Sequence, residues 1–309
     1  MALIGTAMAN QRAGKHIIST SIEHPSVYNP LGVLEELGFE VTILPVDHDG
    51  HISLKELEEA IRPDTILVST MYVNNEVGAV EPVEEISKII KAKNPSTLYH
   101  VDAIQAYGKY VIRPKKQGID LLSVSSHKIH GPKGVGFLYI RNGVKIKPLI
   151  YGGGQQAGMR SGTENVPGVA GFGAAAKEMY TNHAEKVQKL IELKDYMTDR
   201  LGEIEGTVIN SKKGEASAPQ IVSVSFEGVR SEVLLHALED KGVYVSSGSA
   251  CSSNHPGISG TLKGIGVAQK LLDSTIRMSF GMFNTKEEVD YTIDVLKELV
   301  PVLRRYQRG

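Results

Sequence analysis

Between residues 15 and 124 short apolar runs alternate with helix-patterned segments, and nothing else in the chain restricts its fold so strongly. The apolar runs lie at 15–20, 39–44, 65–72, 98–105 and 119–124. Pro25 suits the first position of a helix that Gly38 would stop. Ser53-Leu54-Lys55-Glu56 is a capping box that opens a second helix toward Ile61. An amphipathic third spans 82–93. Strands separated by helices pair in parallel, so this region predicts βαβ units and a mostly parallel sheet. Open sheets of this kind bind ligands beyond the carboxyl ends of their strands. His24, Asn75, Asp102 and Lys128 each follow a predicted strand, and the topology carries them to one sheet edge.

The run 119–124 leads into Ser125-Ser126-His127-Lys128-Ile129-His130-Gly131-Pro132, where neither a strand nor a helix can continue. A lysine there is partly desolvated, which lowers its pKa and suits a Schiff-base nucleophile. Taken alone, it reads better as a surface residue of a turn. Asp102 ends the neighbouring run and supplies an acid. A lysine for the aldehyde and an acid for the ring nitrogen are what a pyridoxal phosphate (PLP) site needs. His24, in Glu23-His24-Pro25-Ser26, is either a helix-start histidine bonded to backbone or a ring stacked on a cofactor. Asn75 lies in the turn-rich stretch 73–78, where asparagine tolerates left-handed backbone.

The 309 residues are 41% hydrophobic and 22% charged, enough for one large or two medium domains. The net charge of -1 argues against a nucleic-acid footprint. No apolar stretch approaches the roughly 18 residues of a membrane span, and the start has no secretion signal. The single cysteine, Cys251, cannot form an internal disulfide, which fits a reducing cytoplasm. Without a Cys-x-x-Cys pair no metal site is expected. Cys251 sits in Ser246-Ser247-Gly248-Ser249-Ala250-Cys251-Ser252-Ser253. A lone cysteine is often a small buried hydrophobe. Its small polar neighbours favour an accessible thiol instead.

A glycine-rich loop covers 152–163, and one long helical stretch across 166–201 is expected to bridge two domains. Beyond it the pattern becomes α+β. Strands are predicted at 207–210, 221–226 and 275–280, the last carrying Arg277, with a helix at 231–241. Thr285-Lys286-Glu287-Glu288 is a capping box for the final helix, which Pro301 should kink or end. The division expected is a large domain at 1–180 and a smaller one at 181–309 carrying the cysteine loop.

These stretches together resemble the NifS/IscS-type cysteine desulfurases of the class V aminotransferase family, in the branch whose loop reads Ser-Gly-Ser-Ala-Cys. The resemblance implies PLP fold type I, with a seven-stranded, mainly parallel sheet and a smaller α+β C-terminal domain. It implies that L-cysteine becomes L-alanine while sulfur is held as a persulfide on Cys251. Lys128 would carry the cofactor and move the α-proton, Asp102 would keep the ring an electron sink, and His24 would stack on it. Asn75 and Gln105 would bond the phenolic oxygen, and Ser125 and His127 the phosphate. Thr163 would reach the PLP phosphate of a homodimer partner, and Arg277 would take the substrate carboxylate. Gly281-Met282-Phe283-Asn284 departs from the family's usual Gly-Arg-Phe-Thr. Acceptors would be an iron–sulfur scaffold or a tRNA-thiolation enzyme. The absence of a longer tail after Tyr306 makes the second the expected partner. A selenocysteine lyase or aminotransferase of the same fold, or a catalytically weak sulfur-transfer scaffold, are the rival readings. The family's first strand and its Gly-Thr-Glu-Ser-type phosphate loop are not among these residues. Two lost charge-assisted bonds would weaken PLP binding by about 3–6 kcal/mol.

Overall fold

A computed structural model describes residues 1–247 and 259–306. The chain clusters into two compact units. The first comprises 1–46, 52–73 and 81–183; the second comprises 47–51, 74–80 and 184–309.

The first unit is built on a six-stranded sheet: β1 (His16–Thr20), β2 (Glu40–Leu44), β3 (Thr65–Met71), β4 (Leu98–Asp102), β5 (Leu121–Ser125) and β6 (Gly136–Ile140). Its order is β2-β1-β3-β4-β5-β6, with the first five parallel and β6 antiparallel to β5. Helix α1 (Ile4–Asn10) precedes β1, and α2 (Pro25–Glu36), α3 (Leu54–Ala60) and α4 (Val83–Lys93) connect β1 to β4. Every residue of β1, β3 and β4 is buried. Burial on both faces is why these strands show no alternation of apolar and solvent-facing residues. Their apolar stretches are Ile17-Ile18, Ile66-Leu67-Val68 and Leu98-Tyr99, and the polar residues they carry are buried too. Leu3, Ala7, Ile17, Val27, Leu31, Leu34, Leu67 and Leu121 form one core layer. The polar residues inside the sheet are paired to each other. Ser19 Oγ donates to the Ser69 carbonyl, Ser69 Oγ bonds His100 Nδ1, and His100 Nε2 bonds Ser123 Oγ. Burial pushes His100 down to about 3, so this ladder runs through a neutral imidazole.

The expected single helix across 166–201 is two helices, α5 (Val166–Tyr180) and α6 (His183–Leu201). The break falls at Thr181 and Asn182, where Asn182 adopts φ +51°, a left-handed conformation asparagine tolerates. The second unit contains α6 and a four-stranded antiparallel sheet. Its strands are β7 (Thr207–Ile209), β8 (Ile221–Phe226), β9 (Ser246–Ser247) and β10 (Thr275–Ser279), in the order β7-β8-β10-β9. Helices α7 (Ser231–Glu239), α8 (Gly260–Gly264) and α9 (Lys286–Arg305) complete it. Leu193, Met197, Val224, Phe226, Leu234, Ile293 and Leu296 pack into its core. Pro301 does not end the last helix, because α9 continues through it to Arg305.

The capping box at Thr285 is formed in both directions. Thr285 Oγ1 accepts from the Glu288 amide at 3.3 Å, and Glu288 Oε2 accepts from the Thr285 amide at 3.1 Å. Thr285→Ala removes one of these acceptors. It is expected to lower unfolding stability by about 1 kcal/mol, read as a lower urea midpoint at unchanged slope.

Candidate active site

Asp102 is the last residue of β4, opposite Met71 of β3 and Ser123 of β5. Its Oδ1 accepts the Ile104 amide at 3.0 Å. Burial pushes its pKa up to about 6, against the downward pull of that one bond. Gln105 follows, half-buried, in the turn that leaves the strand.

β5 leads straight into a single 3-10 turn, Ser126–Ile129, and this turn carries Lys128. The turn closes on His130 at φ +63°, whose amide returns to the Ser126 carbonyl. The Gly131 amide reaches the same carbonyl at 3.1 Å. Any side chain at 131 would meet Ser126 Oγ at 2.1 Å, so the sequence needs glycine there. Ser125 Oγ and His127 Nδ1 are bonded at 2.8 Å, flanking the turn. Burial, then the charges of Lys128 and Lys133, hold the His127 ring below its ordinary pKa.

His24 caps α2: its Nδ1 accepts the Ser26 amide at 3.1 Å and lies 2.8 Å from Ser26 Oγ. Burial, followed by the charge of Lys128, lowers its pKa, so the ring is neutral near the lysine. The backbone-bonded role considered from the sequence is therefore present. It engages one ring nitrogen.

Two residues at this edge escaped sequence reasoning. Glu23 is buried, with Oε1 accepting from Thr20 Oγ1 and from the Met71 amide, both at 2.8 Å. Its Oε2 has no hydrogen-bond partner. Burial raises it to about 8, with smaller contributions from Asp102 and Glu81, so it is a neutral acid at pH 7. Lys109 is also buried, and its Nζ donates to the Lys128 carbonyl at 2.7 Å. Next to Gly108 it reads as an ordinary turn lysine. No pattern in the sequence announces its burial.

Thr163 is exposed in the loop before α5. Asn75 and Arg277 belong to the second unit. The Asn75 carbonyl accepts from Arg277 Nη1 at 2.7 Å, while Nη2 donates to Ser246 Oγ at 3.1 Å. Arg277 Nε is buried with no hydrogen-bond partner. The neighbouring Asn74 is the turn residue, its Oδ1 accepting the amides of Glu76 and Val77. In the departing stretch, Asn284 Oδ1 accepts the Gly281 amide and holds that turn. Cys251 lies outside the described residues.

The donor set on the first unit fits PLP. A desolvated carboxylate of raised pKa suits a cationic ring nitrogen, a hydroxyl and an imidazole suit a phosphate, and the turn that carries the imidazole also carries a lysine. No three His, Cys, Asp or Glu residues cluster as metal ligands among the described residues. No helix among them is long and apolar enough to cross a membrane.

Comparison with known proteins agrees. The family model "Aminotransferase class-V" matches residues 1–292. A cysteine desulfurase IscS of Dictyoglomus turgidum is 43% identical over 98% of this chain and 77% of its own length. One of Methanosarcina thermophila is 45% identical over 98% of this chain and 74% of its own. Among solved structures, a NifS-like protein superposes with a TM-score of 0.91 at 39% identity, covering 98% of this chain and 79% of that one. A cysteine desulfurase of Thermococcus onnurineus, in its apo form, superposes at 0.85 with 27% identity, covering 97% of this chain and 76% of that one. The chain belongs to the class-V aminotransferase family, whose chemistry depends on pyridoxal phosphate, and within it to the cysteine desulfurases of the IscS/NifS group.

Proposed function

We propose that this chain converts L-cysteine to L-alanine and holds the released sulfur as a persulfide on Cys251. The observation that carries the reading is identity of 43–45% to cysteine desulfurases across 98% of the chain. PLP, when bound, supplies an electron sink for charge developing at the substrate α-carbon. The chain's own residues do the rest. Lys128 holds the cofactor and moves the α-proton. Asp102 keeps a proton at the ring nitrogen, and His24 covers the ring with a neutral face. Ser125 and His127 hold the phosphate, with Asn75 and Gln105 on the phenolic oxygen. Arg277 takes the substrate carboxylate, whose two oxygens match the fork of a guanidinium. The Cys251 thiolate attacks the substrate sulfur. A sulfur–sulfur bond forms, the carbon–sulfur bond breaks, and the electron pair left on carbon is protonated to give alanine.

A homodimer is part of the proposal. Phe137, Leu138, Met159, Val169 and Phe172 line an apolar groove, and Val166 and Val169 beside it are 66% and 58% exposed. Such a surface suits a second copy, with Thr163 on the adjoining loop offered to the partner's phosphate. The first unit, at 1–183 without its two excursions, would be the cofactor domain and the second the cysteine-carrying one. The reaction fits a reducing cytoplasm, with the persulfide passing to an acceptor for iron–sulfur assembly or tRNA thiolation.

The test is sulfide and alanine production from cysteine, with selenocysteine and keto-acid products assayed alongside. Lys128→Ala is expected to lose both the yellow colour of bound PLP and turnover. Cys251→Ser is expected to keep the colour and form no persulfide by mass spectrometry. A Lys128→Ala protein that keeps yellow PLP, bleached by borohydride to a covalent adduct on another lysine, would show that Lys128 is the wrong residue.

Asp102 also makes a prediction for stability. Its folded pKa of about 6 lies above an unfolded value of about 3.9, so the folded state binds the proton more tightly. Its contribution is whole below pH about 4 and is lost as pH rises through about 6, up to about 3 kcal/mol. In the cofactor-free protein, Asp102→Asn should abolish this fall, as measured by urea midpoints at pH 4 to 7.

A further inference from the structure

Lys109 is a buried cation that none of these roles uses. It is 7% exposed. Its Nζ reaches the Lys128 carbonyl at 2.7 Å, and among the described residues no carboxylate pairs with it. One turn brings it there. The Ala106 amide bonds the Ala103 carbonyl and the Lys109 amide bonds the Ala106 carbonyl. Gly108 between them takes φ +83°, and a Cβ on it would come within 2.8 Å of Ile129 Cγ2, an atom of the turn that carries Lys128. So the segment that begins at Asp102 and passes Gln105 ends packed under Lys128.

An ammonium is a poor choice for a simple clamp on a carbonyl. A neutral amide donor would bond the same oxygen without desolvating a charge. Burial, and then the charge of Lys128, push Lys109 down to about 8, which leaves it mostly protonated at neutral pH. Electrostatic coupling is mutual, so Lys109 acts on the Lys128 amine as Lys128 acts on it. The His24 and His127 rings also feel Lys128, and burial followed by its charge holds both below their ordinary pKa, so they do not replace this charge. His130, whose pKa is lowered by burial and then by Lys109, adds none either.

We propose that Lys109 is a positioning residue for Lys128. Its ammonium fixes the Lys128 carbonyl and sets a second positive charge near the Lys128 amine, so that more of that amine is unprotonated and ready to capture an aldehyde. Paired ammonium groups activate a Schiff-base lysine in this way. The inference rests on Lys128 being the cofactor lysine, and its test is independent of desulfurase activity.

The full-length protein, stripped of PLP, is labelled with trace acetic anhydride, and modification of Lys128 is followed by mass spectrometry at neutral pH. Lys109→Met is expected to label at Lys128 about three- to tenfold more slowly, with PLP capture slowed in parallel. Lys109→Arg, which keeps the charge, is expected to restore most of the rate. A folded Lys109→Met that labels at the wild-type rate overturns the proposal, as does a Lys109→Arg as slow as Lys109→Met. Should Lys109→Met lack a cooperative melt, the reciprocal variant decides. In Lys128→Met the titration midpoint of the Lys109 ε-carbon, followed by NMR, should rise above about 8. An unmoved midpoint overturns the proposal. Normal Lys128 labelling with no sulfide from cysteine would instead count against the desulfurase reading.

Discussion

Everything chemical in the first unit depends on one line of strand register, Met71 to Asp102 to Ser123. Around it the carboxyl ends of β3, β4 and β5 are knit together. The Tyr72 amide bonds the Asp102 carbonyl, and the Ala103 amide bonds the Ser123 carbonyl. Glu23 closes the same line from β1 by accepting the Met71 amide. A slip of one residue in β4 would turn Asp102 to the opposite face and carry its carboxylate away from the Lys128 turn. The polar ladder from Ser19 through Ser69 and His100 to Ser123 acts against such slips. Each misregistered pairing would strand buried donors without partners. The ladder has no chemistry of its own. It locates the residues that do.

The site then gathers groups whose solvation costs would be prohibitive anywhere else. Glu23 meets its cost by staying neutral, and Asp102 by a raised pKa. Lys109 meets part of it through the Lys128 carbonyl. Glu23 and Asp102 sense each other, so the neutrality of Glu23 matters. A charged Glu23 would push Asp102 up further and leave it protonated when a ring cation needs its charge. One buried acid is kept uncharged so that its neighbour can ionise.

The sequence made the βαβ alternation legible because strands buried on both faces, as β1, β3 and β4 are, carry short apolar stretches between helix-patterned segments. Strand ends were legible where Gly, Pro or Asn follows, as at Pro25 and at Gly131-Pro132. The end of β4 was not, since no such residue follows Asp102 and the apolar run continues to 105. The break in 166–201 was not legible: Thr181 and Asn182 carry no glycine or proline, and the chain turns there on a left-handed asparagine. Pro301 misled in the other direction. It lies in the penultimate turn of a twenty-residue helix anchored by Val289, Ile293, Leu296 and Val300, and packing outweighs the one backbone bond it removes. Glu23 and Lys109 were missed for a shared reason. Charged residues beside turn formers are read as solvent-exposed, and their burial depends on tertiary contacts that no local pattern records.

The raised pKa of Asp102 and the fit of a cationic ring are two sides of one quantity. A carboxylate with a single amide donor in a buried pocket is destabilised by desolvation. A cation placed against it recovers that energy, and a neutral ring does not. The pocket therefore selects the protonated form of a pyridine through the cost it imposes on its own empty state. Adding backbone donors around Asp102 would steady the free protein. It would also lower the carboxyl pKa and weaken the preference for a charged ring. The sparse bonding of Asp102 is thus part of how the site works, and the neutral acid at Glu23 and the buried cation at Lys109 extend the same logic to the strand before it and the turn after it.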